Sequence, residues 1–429
     1  MSYYKITGGV PLKGEVYPIP NKNSILKLIP AALLTDEPVT IHNVPNSTDV
    51  RLMIKIVKQL GGKVTYLNNN TSIRIVAEGI NTFEMDPDLS QKAKASVMFM
   101  APLLLRFGKA YMPIPGGCKL GTRPLDAFMN NMVMLGATYR REKGYYIEAT
   151  KLKGSKIWSW FPSVTGTENL IMLATLTPGV TEIYNAAAEP HTQDLCNMLV
   201  AMGAKINGIG SNMLAIEGVE RLKGTEWKVI PDHLDIGAYI AAAALTGGEI
   251  TIKDSIPEHM SYIIQAFEKV GVKTEVRGND LYVGPNQELV CETTVRGDIY
   301  EIFAMPWPGL PVDFMQIMIV TALKAKGSLI LHNSFQEYGM FWIEELVKLK
   351  AKVVMADPYR VLTFGPTDYK AAKIFAPNII QATMALFLAA LSADGETILE
   401  DRSDSLLRRY PDLVEVYTSI GGKIERVKI

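Results

Sequence analysis

A single pattern returns six times along this chain of 429 residues, at intervals of roughly 70 residues. It opens with an apolar helix that ends in a turn and a strand. The copies are LLTDEPVTIHNV from Leu33, LLRFGKAYMPI from Leu104, LTPGVTEIYNA from Leu176, LTGGEITIKDS from Leu245, LKAKGSLILHN from Leu323 and LSADGETILED from Leu391. A second helix closes in a short turn, as LGGKV at Leu60, LGATY at Leu135, MGAKI at Met202, VGVKT at Val270, LKAKV at Leu349 and IGGKI at Ile420. In most copies an alternating strand comes next, for example MLAIEG at 213–218 and DLYVG at 280–284. Each repeat is expected to run helix, strand, helix, strand, strand.

The two helices differ in kind. The second is striped, as in DLCNMLVAMG from Asp194, and can turn a polar face to solvent. The first is apolar almost all round: NLIMLATL from Asn169, AYIAAAAL from Ala238, MQIMIVTAL from Met315 and ATMALFLAAL from Ala382. A helix without a polar face has to be surrounded. Six of them predict an α/β chain of two domains, three repeats each, with helices inside and sheets and striped helices outside. Pro231 in VIPDHLD (229–235) punctuates the chain before the fourth apolar helix. The expected domains are therefore 22–231, and 1–21 together with 232–429. The chain would cross between domains twice, and a cleft between them is the expected place for a ligand.

Lys+Arg and Asp+Glu balance at 44 each, so no global field draws nucleic acid or a membrane surface, and any anion site has to be local. The opening MSYYKITGG lacks the apolar core of a signal peptide, and no apolar run reaches a membrane span. Three cysteines without paired spacing (Cys118, Cys196, Cys291) suit a reducing, cytoplasmic compartment rather than a disulfide framework. The five histidines are scattered and no metal-ligand spacing occurs, so no metal is expected.

Candidate chemistry gathers where loops meet apolar helices. PIPGGCKLGTRP at 113–124 sets Cys118 between cations Lys119 and Arg123 on a glycine-rich turn. Such a turn favours a thiolate and can dock an anion; it is equally compatible with a surface hairpin carrying an incidental cysteine. Lys22 and Asn23 in PIPNKNSIL precede an apolar helix, as cap and solvated lysine or as an anion site. Lys94 sits similarly in QKAKASVMFM. Ser163, Thr165 and Thr167 in FPSVTGTENL can cap the third apolar helix or bind a polar ligand. Asp313 in PWPGLPVDFMQ stands at the mouth of the fifth, and LLRRYPDL offers Arg408 and Arg409. GIGSN at 208–212 lacks the context of a nucleotide-binding glycine motif and reads as a hairpin turn.

Six such units, with NKN at 21–23, PGGCKLGTRPLD at 115–126, FPSVTGTEN at 161–169, NAAAEP at 185–190 and PWPGLPVD at 306–313, resemble the enolpyruvyl transferases over essentially the whole chain. The resemblance is strongest to the branch that acts on UDP-N-acetylglucosamine in peptidoglycan synthesis. It implies the inside-out α/β barrel fold, phosphoenolpyruvate as donor and UDP-N-acetylglucosamine as acceptor, in a reaction that requires no metal or organic cofactor. By the same resemblance Lys22 and Arg123 hold the donor phosphate, and Asn23 contacts the acceptor. Cys118 is the loop acid, Asp313 the base for the sugar 3-hydroxyl, and Arg408 returns to the phosphate. Arg123, Pro124, Leu125 and Asp126, with Ser163, Val164 and Thr165, match the contacts to the nucleotide end.

Three positions depart from the family pattern. Lys94 replaces an arginine, FQEYGM (335–340) replaces FENR with Gly339 at the arginine's place, and PNIIQA replaces DLRA with Gln381 there. Each lost charge-assisted hydrogen bond forgoes roughly 1.5–3 kcal/mol. Arg360, Arg402 and Arg409 are the cations that could substitute. Two other readings fit the same residues: enolpyruvyl transfer to a different nucleoside or sugar nucleotide, and a paralogue that binds a sugar nucleotide without turnover.

Overall fold

The computed structural model describes residues 2–92, 94–114, 125–336 and 339–428. The chain divides into two compact units, one of residues 2–19 with 231–428 and the other of 20–114 with 125–230. Each holds three copies of the repeat and one continuous apolar core. The architecture is the inside-out α/β barrel.

The repeat appears element by element. In the third copy the helix Val164–Thr175 leads to strand Val180–Tyr184, helix Pro190–Ala201 and the hairpin Lys205–Asn207, Met213–Glu217. The turn of that hairpin is GIGSN, with Gly208 and Gly210 both at φ 85°, where only glycine is free of strain. Each copy builds one sheet. Among the described residues five sheets have four strands and one has three.

The fourth strand comes from the preceding repeat and pairs in parallel: Lys156–Trp158 with Val180–Tyr184, Tyr300–Phe303 with Gly327–His332, and Lys373–Phe375 with Glu396–Asp401. In the three-stranded sheet it shrinks to a single parallel bridge between Glu84 and Tyr111. Within each unit the last repeat donates to the first. Glu226–Lys228 pairs with Val39–His42 in one unit, and Lys13–Val16 with Glu249–Ile252 in the other. Three sheets thus close a ring around three helices.

The enclosed helices are those without a polar face. Every residue from Gln381 to Leu391 is buried, as is every residue from His233 to Leu245. His233–Thr246, Met315–Lys324 and Ile380–Leu391 pack against one another. Close packing requires small residues at crossings. A Cβ on Gly237 would lie 2.1 Å from the Phe314 ring, so glycine lets that ring reach the helix axis. Buried polar residues stand at the starts of the enclosed helices, among them Asn21 and Lys22, Thr167, Asp232 and His233, and Gln381.

Candidate functional site

In the unit containing residues 20–114 and 125–230, the site begins at the helix Lys22–Ala31. Asn21 is fully buried and caps it by accepting the Ser24 N–H at 3.0 Å. Lys22 follows at 5% exposure, its Nζ 2.5 Å from Asp49 Oδ2. Asn23 is half-buried. Further along the same helix, Ser24 Oγ donates to Asp194, which also accepts the Trp227 indole N–H at 2.9 Å. Lys27 faces Glu168 Oε2 at 3.5 Å, and Thr192 donates to Glu168 Oε1 at 3.2 Å.

Burial pushes the Glu168 carboxyl up to about 7 against the pull of Lys27, and the Asp194 carboxyl up to about 6. This helix therefore carries a cation at its N-terminal end and two buried carboxylate contacts below it. A lysine beside exposed helix N–H donors can hold an anionic group.

The helix Val164–Thr175 supplies a second edge. Ser163 caps it, accepting the Gly166 N–H at 3.2 Å, so capping is the use made of that hydroxyl. Thr167 is buried and accepts the Ala187 N–H at 3.0 Å, which ties the helix to the NAAAEP loop. Val164 and Thr165 are half-buried, and the Thr165 carbonyl accepts from Asn169. Leu125 is half-buried before the helix Asp126–Met134, whose first residue Asp126 is exposed. Lys94 is exposed at the start of the short helix Lys94–Phe99.

Cys118, Arg123 and Pro124 lie outside the described residues. The two described cysteines are poor nucleophiles, since burial raises the Cys196 thiol far above its ordinary value and pushes Cys291 up to about 11.

In the other unit Asp313 lies in the turn Val312–Phe314, just before the helix Met315–Lys324. It is half-buried, and Gln336 Nε2 donates to its Oδ1 at 3.0 Å. Among the described residues its second oxygen accepts no hydrogen bond, which leaves it able to take a proton from an incoming group.

Arg409 Nε and Nη2 both donate to Asp232 Oδ2, at 2.9 and 2.6 Å. Burial works against the Arg409 charge, yet the fields of Asp232, Tyr410 and Asp313 hold it above its ordinary value. Asp232 caps the helix His233–Thr246. Burial pushes the His233 imidazole down to about 4, so near neutrality it is uncharged. Arg408 ends the turn Leu406–Arg408 and is half-buried.

The places of the absent family arginines are resolved in structural terms. Gln381 is 5% exposed in the first turn of Ile380–Leu391, and its Oε1 accepts the Tyr410 hydroxyl at 3.2 Å. Arg360 and Arg402 are exposed and pair with Asp357 and Glu400. Arg409 is the buried one of the three candidates, and it is paired with Asp232.

Asp49, Asp232, His233 and Gln336 were missed in the sequence, although one signal was present. Pro20-Asn21-Lys22 and Pro231-Asp232-His233 occupy equivalent places before the first and fourth apolar helices, and both Asn21 and Asp232 are buried caps. Aligning the repeats on their helix starts would have marked Asp232 and His233.

Among the described residues no cluster of His, Cys, Asp and Glu could hold a metal ion, and no helix is long and apolar enough to cross a membrane.

Comparison with known proteins bears on the whole length. The family model for EPSP synthase (3-phosphoshikimate 1-carboxyvinyltransferase) matches residues 6–417. The UDP-N-acetylglucosamine 1-carboxyvinyltransferase of Treponema denticola is 39% identical over 99% of both chains. The protein of the same name from Bacteroides thetaiotaomicron is 38% identical over 100% of both. Among solved structures, the enolpyruvyl transferase NikO from Streptomyces tendae superposes with a TM-score of 0.87 at 21% identity, covering 100% of this chain and 99% of that one. EPSP synthase from Acinetobacter baumannii gives 0.77 at 15% identity, covering 100% of each chain. At those identities the two structures speak for the fold.

Proposed function

The chain belongs to the EPSP synthase family, the enolpyruvyl transferases, and from that premise we propose that it transfers the enolpyruvyl group of phosphoenolpyruvate to the 3-hydroxyl of UDP-N-acetylglucosamine, releasing phosphate. The product is a peptidoglycan precursor, made in the cytoplasm from two small molecules. The observation that carries this reading is identity of 37–39% over the full length with enzymes named for that reaction.

The residues fit the chemistry asked of them. Phosphoenolpyruvate carries several negative charges, so its binding needs cations and oriented N–H donors, held in place before the substrate arrives. Lys22, buried at a helix N-terminal end and fixed by Asp49, is such a group. Arg123 and Arg408 are assigned to the same phosphate, with Asn23 at the acceptor. Lys94 is assigned a charge without the planar fork of an arginine. Addition needs a proton delivered to the donor methylene while the acceptor hydroxyl loses one. Cys118 is assigned as the acid and Asp313 as the base. Phosphate then leaves the tetrahedral ketal and the double bond re-forms. Pro124, Leu125, Asp126, Ser163, Val164 and Thr165 are assigned to the nucleotide end.

The test is direct. Purified protein given phosphoenolpyruvate and UDP-N-acetylglucosamine should release phosphate and form the enolpyruvyl sugar nucleotide in equal amounts. Phosphate appearing only with another acceptor, or ligand binding without turnover, would overturn the assignment.

A further inference from the structure

We propose that Gln336 is a positioning residue for Asp313, and that Gly339 keeps open the space in which the Gln336 amide works. The proposal rests on Asp313 being the base. It starts from a segment whose departure from the family pattern reads, in sequence, as a plain loss.

The segment is built around Asn333, which is fully buried. The Asn333 N–H donates to the Tyr359 carbonyl at 2.7 Å, and its Oδ1 accepts the N–H groups of Phe335 at 3.2 Å and Gln336 at 3.1 Å. Gly339 closes the turn, its N–H donating to the Gln336 carbonyl at 3.0 Å. These bonds fix the backbone of Gln336, so its side chain leaves the turn in a set direction. The side chain is 5% exposed and delivers Nε2 to Asp313 Oδ1 at 3.0 Å.

That hydrogen bond is the one the Gln336 amide makes among the described residues, since its Oε1 is buried without a partner. Burying an amide for one bond costs more than a neutral hydrogen bond returns. Packing alone does not favour glutamine there; holding a carboxylate does. The bond selects one orientation of Asp313, with Oδ1 engaged and the other oxygen left for the proton it is to accept.

Gly339 makes this possible by lacking a side chain. A Cβ there would stand 2.3 Å from Asn333 Nδ2, 3.0 Å from Gln336 Cβ and 3.1 Å from Gln336 Oε1. The first is closer than packed atoms tolerate, and the other two are tight enough to press on Gln336. The 2.3 Å contact forces Asn333 to move, which releases the Phe335 and Gln336 N–H groups that its Oδ1 holds, and the set direction of the Gln336 side chain is lost with them. A side chain at 339 and a Gln336 amide on Asp313 exclude each other.

The experiment compares wild type, Gln336→Met, Gly339→Ala and the double variant. Methionine keeps the volume of Gln336 and removes its donor. Misplacing a reacting group by about 1 Å can cost on the order of a hundredfold in rate. Each single variant should therefore lose about a hundredfold in kcat while KM for both substrates stays within about twofold. The double variant should lose little more than either single one, because both act through one contact. A Gln336→Met enzyme with kcat within about twofold of wild type, or a loss confined to KM, overturns the proposal.

Crystal structures of the two single variants give a second readout. The Asp313 carboxylate should leave its wild-type orientation in both, and finding it in place in either overturns the proposal. If wild type releases no phosphate from phosphoenolpyruvate and UDP-N-acetylglucosamine, the assigned reaction falls, and the structures alone decide whether Gln336 positions Asp313.

Discussion

Asp313 and Glu168 are carboxylates in opposite settings, and each setting fixes an expected behaviour. Asp313 is half-buried and accepts one hydrogen bond, from Gln336; its proposed role is to exchange a proton with a ligand. Asp313→Asn keeps the shape and removes the proton acceptor. Turnover should fall by at least about a hundredfold, the usual scale for a general base, while the urea midpoint stays close to wild type. An active variant would remove Asp313 from the base role.

Glu168 is fully buried beside Lys27, and burial raises its carboxyl from 4.5 to about 7. The folded state thus binds that proton more tightly than the unfolded chain does. Its contribution to stability is greatest below the unfolded pKa and is lost as pH rises towards the folded one. Wild type should lose stability relative to Glu168→Gln between pH 5 and 7.5, by on the order of 3 kcal/mol. Urea titrations at the two ends check it; a difference that stays flat or runs the other way would contradict the assigned burial.

At the level of elements, the apolar helices owe their burial to composition but their fit to single small residues. Alanine at 237 would gain about 1 kcal/mol in helix propensity over glycine. It would also drive a methyl into the Phe314 ring, which a Cβ meets at 2.1 Å. Overpacking typically costs 1–3 kcal/mol, so the clash should win. Gly237→Ala is expected to lower stability by up to about 2 kcal/mol net, with an unchanged denaturant slope. A stabilised variant would mean the core relaxes more freely than its packing suggests.

The capping residues show where reading the chain succeeds and where it stops. Ser163 was visible as a cap type before an apolar helix, and it caps. At the first helix the cap was expected among Lys22 and Asn23, but the helix starts at Lys22, Asn21 caps it and Lys22 is buried. Asp232, which was missed in the sequence, also caps its helix. Its second task, holding Arg409 across 177 positions, was not visible.

Over the whole molecule, the sheets are closed by strands from distant parts of the chain. Ser2–Thr7 lies between Glu396–Asp401 and Lys423–Lys428, paired along its full length with both, and Tyr4 and Ile6 are fully buried. Removing residues 1–7 leaves two strands without their common neighbour and opens the core beneath. The truncated protein should lose cooperative unfolding of the unit that holds residues 231–428, seen as early proteolysis there. A truncated chain with the wild-type midpoint and digestion pattern would contradict that. The expectation of helices inside and sheets outside came from the six apolar helices alone, because a segment without a polar face has few places to go. The ring closure by donated strands was invisible, since a three-residue strand such as Glu226–Lys228 carries almost no pattern of its own.

What the sequence determined by itself was the repeat, the enclosure of one helix in each copy and the kind of residue at each helix start. These depend on periodicity and composition within a few turns of chain. Which donor meets which carboxylate was settled only by the fold: the cations Lys22 with Asp49 and Arg409 with Asp232, and the Gln336 amide with Asp313. Such pairings depend on distance and on exclusion of water, and both come into being only when remote segments are packed together.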